Sequence, residues 1–173
     1  MADILPSVNE VDVFTALRAF ILTVVGCPVV RTQVNRVPMP TGDFIALTPK
    51  SATPLETNTD TYTSTTKTVE RRTKYTIQID CYGALASDRA LTISTLLRDS
   101  YAADQFAASG YDVTPLYAGD AQQMPLIDGE EQYEERWTFD AVLQVNPVIT
   151  VTAETADTLA ITGLIPADVI YPA

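Results

Sequence analysis

The sequence predicts an α+β domain in which two helices pack on one face of a mixed, mostly antiparallel sheet. Apolar residues recur at every second position in two strand segments and at every third or fourth position in two helical segments. A threonine-rich segment between them predicts an extended β-arm or loop. The 173 residues fit one domain. We assign residues 1–150 to it and residues 151–173 to an extended C-terminal arm that packs on the same domain or on a neighbour.

Two helical segments form the predicted helix layer. Residues 7–10 have the composition of a capping box, and Gly26 with Pro28 ends the helix that follows. Its expected apolar stripe consists of Val11, Phe14, Leu17, Ile21, Leu22 and Val25. A second helix is expected over residues 87–101, capped by Ser87. Its apolar stripe consists of Ala90, Leu91, Ile93, Leu97 and Tyr101.

Two segments have the alternation of half-buried strands. In residues 72–82, the side chains expected to face the core are Tyr75, Ile77, Ile79 and Cys81. In residues 132–145, they are Tyr133, Trp137, Phe139, Ala141, Leu143 and Val145. In both segments these residues alternate with mostly polar residues, so each strand is expected to turn one face to the helices.

Weaker patterns predict the remaining strands. Short strands are expected at residues 29–33, 43–49 and 113–117. In residues 53–68, threonine alternates with few apolar partners, which is typical of an exposed β-arm or long hairpin. An irregular loop is the alternative there, because a strand that is polar on both faces specifies its register poorly.

The residue inventory excludes many kinds of enzyme. The chain has no histidine, which removes imidazole bases, catalytic triads and His-ligated zinc. Cys27 and Cys81 are far apart, with no CxxC pair, and are expected to be reduced core residues. We therefore predict no catalytic, cofactor-binding or metal site.

An apolar run at residues 19–27 resembles part of a secretory signal. The preceding residues carry Asp3, Glu10 and Asp12 against Arg18, which is the wrong charge for a signal, and the run is too short to span a bilayer. We interpret it as a core helix and expect synthesis in the cytoplasm.

The net charge of −11 is divided unevenly along the chain. Residues 1–98 hold ten Lys and Arg against nine Asp and Glu, whereas residues 99–173 hold only Arg136 against thirteen acidic residues. A chain of this sign repels the phosphate backbone, so tight nucleic-acid binding is not expected.

Two local charge clusters are candidate subunit-interface residues. The basic cluster is either a strand face paired with nearby carboxylates or a docking patch for an acidic neighbour; it consists of Lys67, Arg71, Arg72 and Lys74. The acidic cluster consists of Glu130, Glu131, Glu134 and Glu135. Acid–base catalysis would require an apolar pocket to raise the pKa of one carboxyl group, and this cluster has an exposed composition.

Four segments together resemble the neck or tail terminator proteins of tailed phages and prophages. These segments are residues 72–83 (RTKYTIQIDCYG), residues 87–101 (SDRALTISTLLRDSY), Pro115-Leu116-Tyr117, and residues 131–151 (EQYEERWTFDAVLQVNPVITV). The resemblance implies a non-catalytic virion protein at the tail–neck junction. It implies a ring, usually of six copies, that caps the tail tube, stops its growth and joins the head-side connector. The implied neighbours are the tail tube protein, the neck connector protein and the sheath.

Under this resemblance, DNA passes through the ring without specific binding, and the acidic second half supplies the channel lining. The candidate lumen-facing residues are Asp112, Asp120 and Asp128. The basic cluster of one subunit could meet the acidic cluster of the next. Two alternatives stay open: another head–tail connector, head-completion or minor tail protein, and an enzyme that uses carboxylates without histidine.

Overall fold

The computed structural model describes residues 3–33, 38, 40–124, 126–127 and 133–154. Within them, helices cover one face of a main sheet, and a smaller sheet continues from one end of it. The helices are α1 Glu10–Val24, α2 Ala86–Leu96 and α3 Ser100–Ala108. The strands are β1 Val29–Arg31, β2 Phe44–Pro54, β3 Thr59–Tyr62, β4 Thr66–Glu70, β5 Thr73–Tyr82, β6 Val113–Ala118, β7 Gln122–Gln123, β8 Leu126–Ile127, β9 Tyr133–Glu134, β10 Arg136–Val145 and β11 Val148–Thr152. The predicted α+β class is confirmed.

Helix α1 begins two residues later than the predicted capping box. The side chain of Asn9 accepts hydrogen bonds from the backbone N–H groups of Val11 and Asp12, and the Asp12 carboxylate accepts one from the Asn9 N–H. The prediction of a box at residues 7–10 is wrong, because Asn9 caps and Ser7 instead bonds to Val148. The buried face of α1 consists of Val13, Phe14, Ala16, Leu17, Phe20 and Ile21. Val11 and Leu22, predicted to be in the stripe, are exposed.

The predicted second helix is two helices. Asp99 interrupts it, because its carboxylate accepts a hydrogen bond from the Tyr101 N–H at 2.8 Å and so caps a new helix, α3. Leu85, and not Ser87, precedes α2, and it makes no side-chain cap bond. Leu91, predicted to be apolar core, is 65% exposed. The described helix layer therefore has three helices, and none is long and apolar enough to cross a membrane.

The main sheet has the strand order β1-β2-β5-β10-β6, with β7 also paired to β10. Strands β5 and β10 are antiparallel along their whole length, with Phe139 opposite Ile79 and Ala141 opposite Ile77. These side chains are buried against the helices, as the alternation predicts. Strand β1 is the exception to the antiparallel rule, since it runs parallel to β2.

The threonine-rich segment is a β-hairpin, which excludes the irregular loop. Strands β3 and β4 pair in it, and β11 pairs with the other side of β4. We call this three-stranded sheet the arm. Its strand order β3-β4-β11 repeats the order β2-β5-β10 of the main sheet, because each arm strand is joined along the chain to the corresponding main-sheet strand. Two backbone hydrogen bonds cross the junction, from Leu55 N–H to Arg72 O at 2.9 Å and from Arg71 N–H to Pro147 O at 3.2 Å. Strand β11 continues past residue 150, where we drew the domain boundary; residues 155–173 lie outside the described part of the chain.

A glycine fixes the corner between β5 and α2. Gly83 has a φ of +97°, and a Cβ at this position would lie 1.9 Å from a carboxylate oxygen of Asp43. Asp43 is held there by Arg89, whose guanidinium donates to its carboxylate at 2.9 Å. This contact ties the start of β2 to α2 and requires glycine at the corner.

Candidate functional site

Three members of the predicted basic cluster, Arg71, Arg72 and Lys74, lie where the arm joins the main sheet, whereas Lys67 lies near the tip of the arm. Lys67 is in β4, and its ammonium is 2.7 Å from the Asp60 carboxylate, which raises the pKa of Lys67 through a side-chain hydrogen bond. Arg72 lies in the link to β5, with Glu56 at 3.4 Å and Glu70 at 3.5 Å. For these two residues, the structure favours the interpretation of a strand face paired with carboxylates of its own chain.

The other two basic residues are placed differently. The Arg71 side chain lines a groove at the base of the arm. Lys74 is exposed at the start of β5, opposite Gln144. Within the described residues, neither of the two forms an ion pair. Arg71 and Lys74 are therefore the members of the cluster whose charge is open to a partner.

The described part of the acidic cluster lies at the far end of the main sheet. Glu134 is in β9, and the Glu135 carboxylate accepts a hydrogen bond from the Trp137 indole N–H at 3.1 Å. Glu130 and Glu131 lie outside the described residues. In the described part of the chain, no group of acidic or cysteine side chains is arranged to hold a metal ion.

The described members of the acidic cluster cannot meet the basic end of the main sheet within one molecule. The β5–β10 ladder runs from Thr73 opposite Val145, at the basic end, to Tyr82 opposite Arg136, at the acidic end. Nine residue steps along a strand span about 30 Å. A contact between the basic and the acidic end therefore requires two copies of the chain.

Two of the three candidate lumen residues flank the edge strand β6. Asp112 precedes it, and its carboxylate accepts a hydrogen bond from the Asn146 side-chain amide at 2.9 Å. Asp120 follows it, with its side chain 88% exposed and the Arg98 guanidinium 3.4 Å away. Asp128 lies outside the described residues. Asp112 thus ties two loops together, whereas Asp120 projects into solvent.

A buried ion pair lies on the sheet face opposite the helices. Asp80 is 3% exposed, and the Arg136 guanidinium donates to its carboxylate at 2.9 and 3.1 Å. The Gln78 amide donates to the same carboxylate at 3.0 Å. Beside this pair, the rings of Phe44 and Tyr82 stack at 4.4 Å. Because both charges are matched, the pair joins β5 to β10 and does not resemble a catalytic acid–base pair.

An apolar groove of about 450 Å³ lies at the base of the arm. The beginning of α1, the main sheet and the arm all contribute to its lining, which includes Pro6, Val8, Val13, Val69, Tyr75 and Ile149. Partial burial here raises the pKa of the Tyr75 hydroxyl. We did not predict either the groove or the buried ion pair. The one available signal was that Arg136 is the only basic residue of the second half.

Comparison with known proteins gives one match. The protein family described as phage neck terminator protein matches residues 11–168, a span that includes all of the described strands and nearly all of the helix layer. No curated protein matches the sequence.

Proposed function

The chain belongs to the phage neck terminator family, and from this premise we propose that it caps the phage tail tube, terminates tube growth and forms the ring that joins the tail to the head-side neck. Family membership establishes the coarser role, a structural component of the phage neck and tail. The family match over residues 11–168 is the observation that supports the proposal.

A head-to-tail ring suits the separation of the charge clusters. In such a ring every subunit contributes two different surfaces, and closure leaves none unpaired. The basic end and the acidic end of the β5–β10 ladder lie about 30 Å apart, as two such surfaces would. We propose that Lys67, Arg71, Arg72 and Lys74 of one copy face Glu130, Glu131, Glu134 and Glu135 of the next, with Arg71 and Lys74 contributing most.

The charge of the chain suits a channel that DNA traverses. A net charge of −11 disfavours lasting contact with a duplex, because phosphates are repelled and no counterions are released. We propose that Asp112, Asp120 and Asp128 line the channel. Asp120 suits this role best among the described residues, because its side chain is the most exposed of the ion-paired carboxylates.

The proposed role requires no catalysis. The sequence has no histidine, and the buried carboxylate of Asp80 is neutralised by Arg136. We therefore propose a non-enzymatic virion protein whose partners are its own copies, the tail tube protein and the neck connector protein.

Electron microscopy of the purified protein mixed with tail tubes tests the proposal. We expect a ring at one end of each tube. Protein spread along the tube, or absent from it, would contradict capping. Co-purification with the head portal in place of tail tubes would instead support the alternative of a head-completion protein.

A further inference from the structure

The arm has two open edges with known backbone orientation. Its order β11-β4-β3 leaves β11 and β3 outermost. In an antiparallel ladder, alternate residues point their N–H and C=O groups away from the partner strand. The hydrogen bond from Ala153 N–H to Thr65 O fixes this alternation in β11, so Thr150 and Thr152 point outward.

The same reasoning applies to β3. The hydrogen bond from Thr63 N–H to Thr66 O makes these residues a bonded pair. Asp60 and Tyr62 therefore point their peptide groups outward.

Among the residues that the structure describes, Ser7 pairs with the base of the β11 edge. Ser7 donates its N–H to Val148 O at 2.9 Å and accepts the Val148 N–H on its hydroxyl at 3.0 Å. Among the described residues, no backbone group pairs with Thr150 or Thr152 on that side. The outer edge of β11 is thus a partly completed ladder.

The β11 edge also lacks the protection that the edges of the main sheet have. Strand β1 is three residues long, and β6 contains Pro115 and a register shift. In contrast, β11 is Val-Ile-Thr-Val-Thr, entirely β-branched, uncharged and regularly paired. Edges of this kind readily pair with another strand, so its composition indicates a partner.

We propose that the outer edge of β11 pairs in parallel with the outer edge of β3 in a second copy of this chain. This inference rests on the proposed ring. Rotation about one axis keeps equivalent strands in the same direction, and β3 and β11 are both antiparallel to β4. The pairing between copies is therefore parallel. Because each copy offers one β3 edge and one β11 edge, the arms of the ring close into a continuous sheet without a free edge.

Backbone geometry restricts the register to pairings that set an outward-pointing residue of β11 opposite an inward-pointing residue of β3, and we infer the pairing centred on Thr61. In a parallel pair, an edge residue bonds to the two residues on either side of the one it faces. Thr150 then faces Thr61 of the second copy, donates its N–H to Asp60 O and accepts the N–H of Tyr62. Pairing at this register uses the outward groups of both strands.

Side chains agree with this register. Residues opposite each other in the arm share a face, which places Tyr62, Lys67, Val151 and Ile149 together on one face and a row of threonines on the other. Tyr62 is 58% exposed at one edge and Ile149 is 38% exposed at the other. The proposed register sets Tyr62 beside Val151 and next to Ile149, while Asp60 stays neutralised by Lys67 at 2.7 Å.

A disulfide trap tests the register. In the double variant Thr61→Cys/Thr150→Cys, the two cysteines of one copy are separated by β4, two strand spacings or about 9.6 Å. That separation exceeds the roughly 7 Å limit for a disulfide, so any bond between them joins two copies. Cys27 and Cys81 are buried and do not compete.

We expect oxidation of rings on tail tubes to give a ladder of covalent oligomers beyond the dimer, lost on reduction. The matched control is Thr61→Cys/Val151→Cys, which places the second cysteine on the opposite face and should give no ladder. If the wild-type protein forms rings on tail tubes but the Thr61→Cys/Thr150→Cys variant gives no covalent oligomers, the edge pairing is overturned and the proposed function stays intact. If the wild-type protein forms no ring on the tubes, the proposed function itself is contradicted.

Thr150→Pro provides a second test that leaves the arm folded. It removes an outward N–H without touching the bonds to β4, and proline is tolerated on such an edge. We expect loss of the ring at an unchanged melting temperature of the monomer, whereas Thr150→Ala keeps the N–H and the ring. A ring that survives Thr150→Pro contradicts the proposal.

Discussion

The main sheet and the arm are built from the same three neighbouring strands, yet they differ in what covers them. In the main sheet, the inward side chains of β5 and β10 are buried beneath helices. In the arm, β3 is exposed along its whole length and β4 is only half-buried. Hydrogen bonding is equally regular in both. The difference therefore lies in apolar burial, which provides most of the stability of a sheet. Hydrogen bonds mainly determine the orientation of its strands.

This comparison predicts where substitutions will affect stability. Phe106 is fully buried in α3, with its ring centroid 5.7 Å from that of Phe20. We expect Phe106→Ala to lower the free energy of unfolding by about 3–5 kcal/mol because it leaves a cavity. The matched variant in the arm, Val151→Ala, should lower it by less than about 1.5 kcal/mol, since this side chain is only half-buried. Equal effects in urea denaturation would show that the arm has a core of its own.

The corner at Gly83 should be the next most sensitive position. Gly83→Ala places a Cβ on Asp43 at a φ of +97° and disturbs the Asp43–Arg89 pair, with an expected loss of about 2–4 kcal/mol. Gly110 is the control, because it also has a positive φ of +78° but nothing lies within 4 Å of its Cβ position. Gly110→Ala should lose only about 1 kcal/mol. Similar thermal midpoints for the two variants would contradict the importance of the Asp43 contact.

Alkaline pH should remove the stability that the protonated Cys81 thiol contributes to the main sheet. Burial raises the pKa of the Cys81 thiol from 9.0 to about 12. The unfolded chain releases this proton near pH 9 and the folded chain does not, so the stabilisation is complete below pH 9 and is lost as the pH rises towards 12. The slope for this group approaches about 1.4 kcal/mol per pH unit. Denaturation at several pH values should show that the free energy of unfolding falls less steeply with pH for Cys81→Ala than for the wild type. An identical slope would mean that other groups cause the loss of stability.

The smallest effect on stability is expected at the junction of the arm. The double variant Arg71→Glu/Arg72→Glu changes exposed side chains, and we expect less than about 1 kcal/mol of change in the free energy of unfolding. Its effect should instead be on assembly, because it removes the basic partner of the acidic cluster. Native mass spectrometry would measure the oligomer, with Arg71→Gln/Arg72→Gln as the charge-neutral control. An unchanged oligomer for the Glu variant would remove the charge-pairing hypothesis.

Sequence patterns predicted the strands best where one face is buried. The alternation predicted over residues 72–82 and 132–145 is observed in β5 and β10, where the inward side chains of both strands join the core beneath the helices. The helix boundaries were less predictable. Asn9 and Asp99 both act as caps through a few local side-chain hydrogen bonds, and several other polar residues nearby could have capped equally well.

The functional features depend on pairing between distant segments. Asp80 meets Arg136 because β10 pairs with β5 in one register, and no local pattern contains that register. The open edge of β11 exists because β11 joins β4 from nearly eighty residues further along the chain. Composition could predict an arm, but the order of its strands required the fold.

The two hydrogen bonds between Ser7 and Val148 connect the arm to the helix layer. Ser7 lies two residues before the cap of α1, so the base of β11 and the first turn of the helix are joined through a very short piece of backbone. A tilt of the arm must therefore either break both bonds or carry the start of α1 with it. A change in the angle of the arm is thus coupled to the first turn of α1.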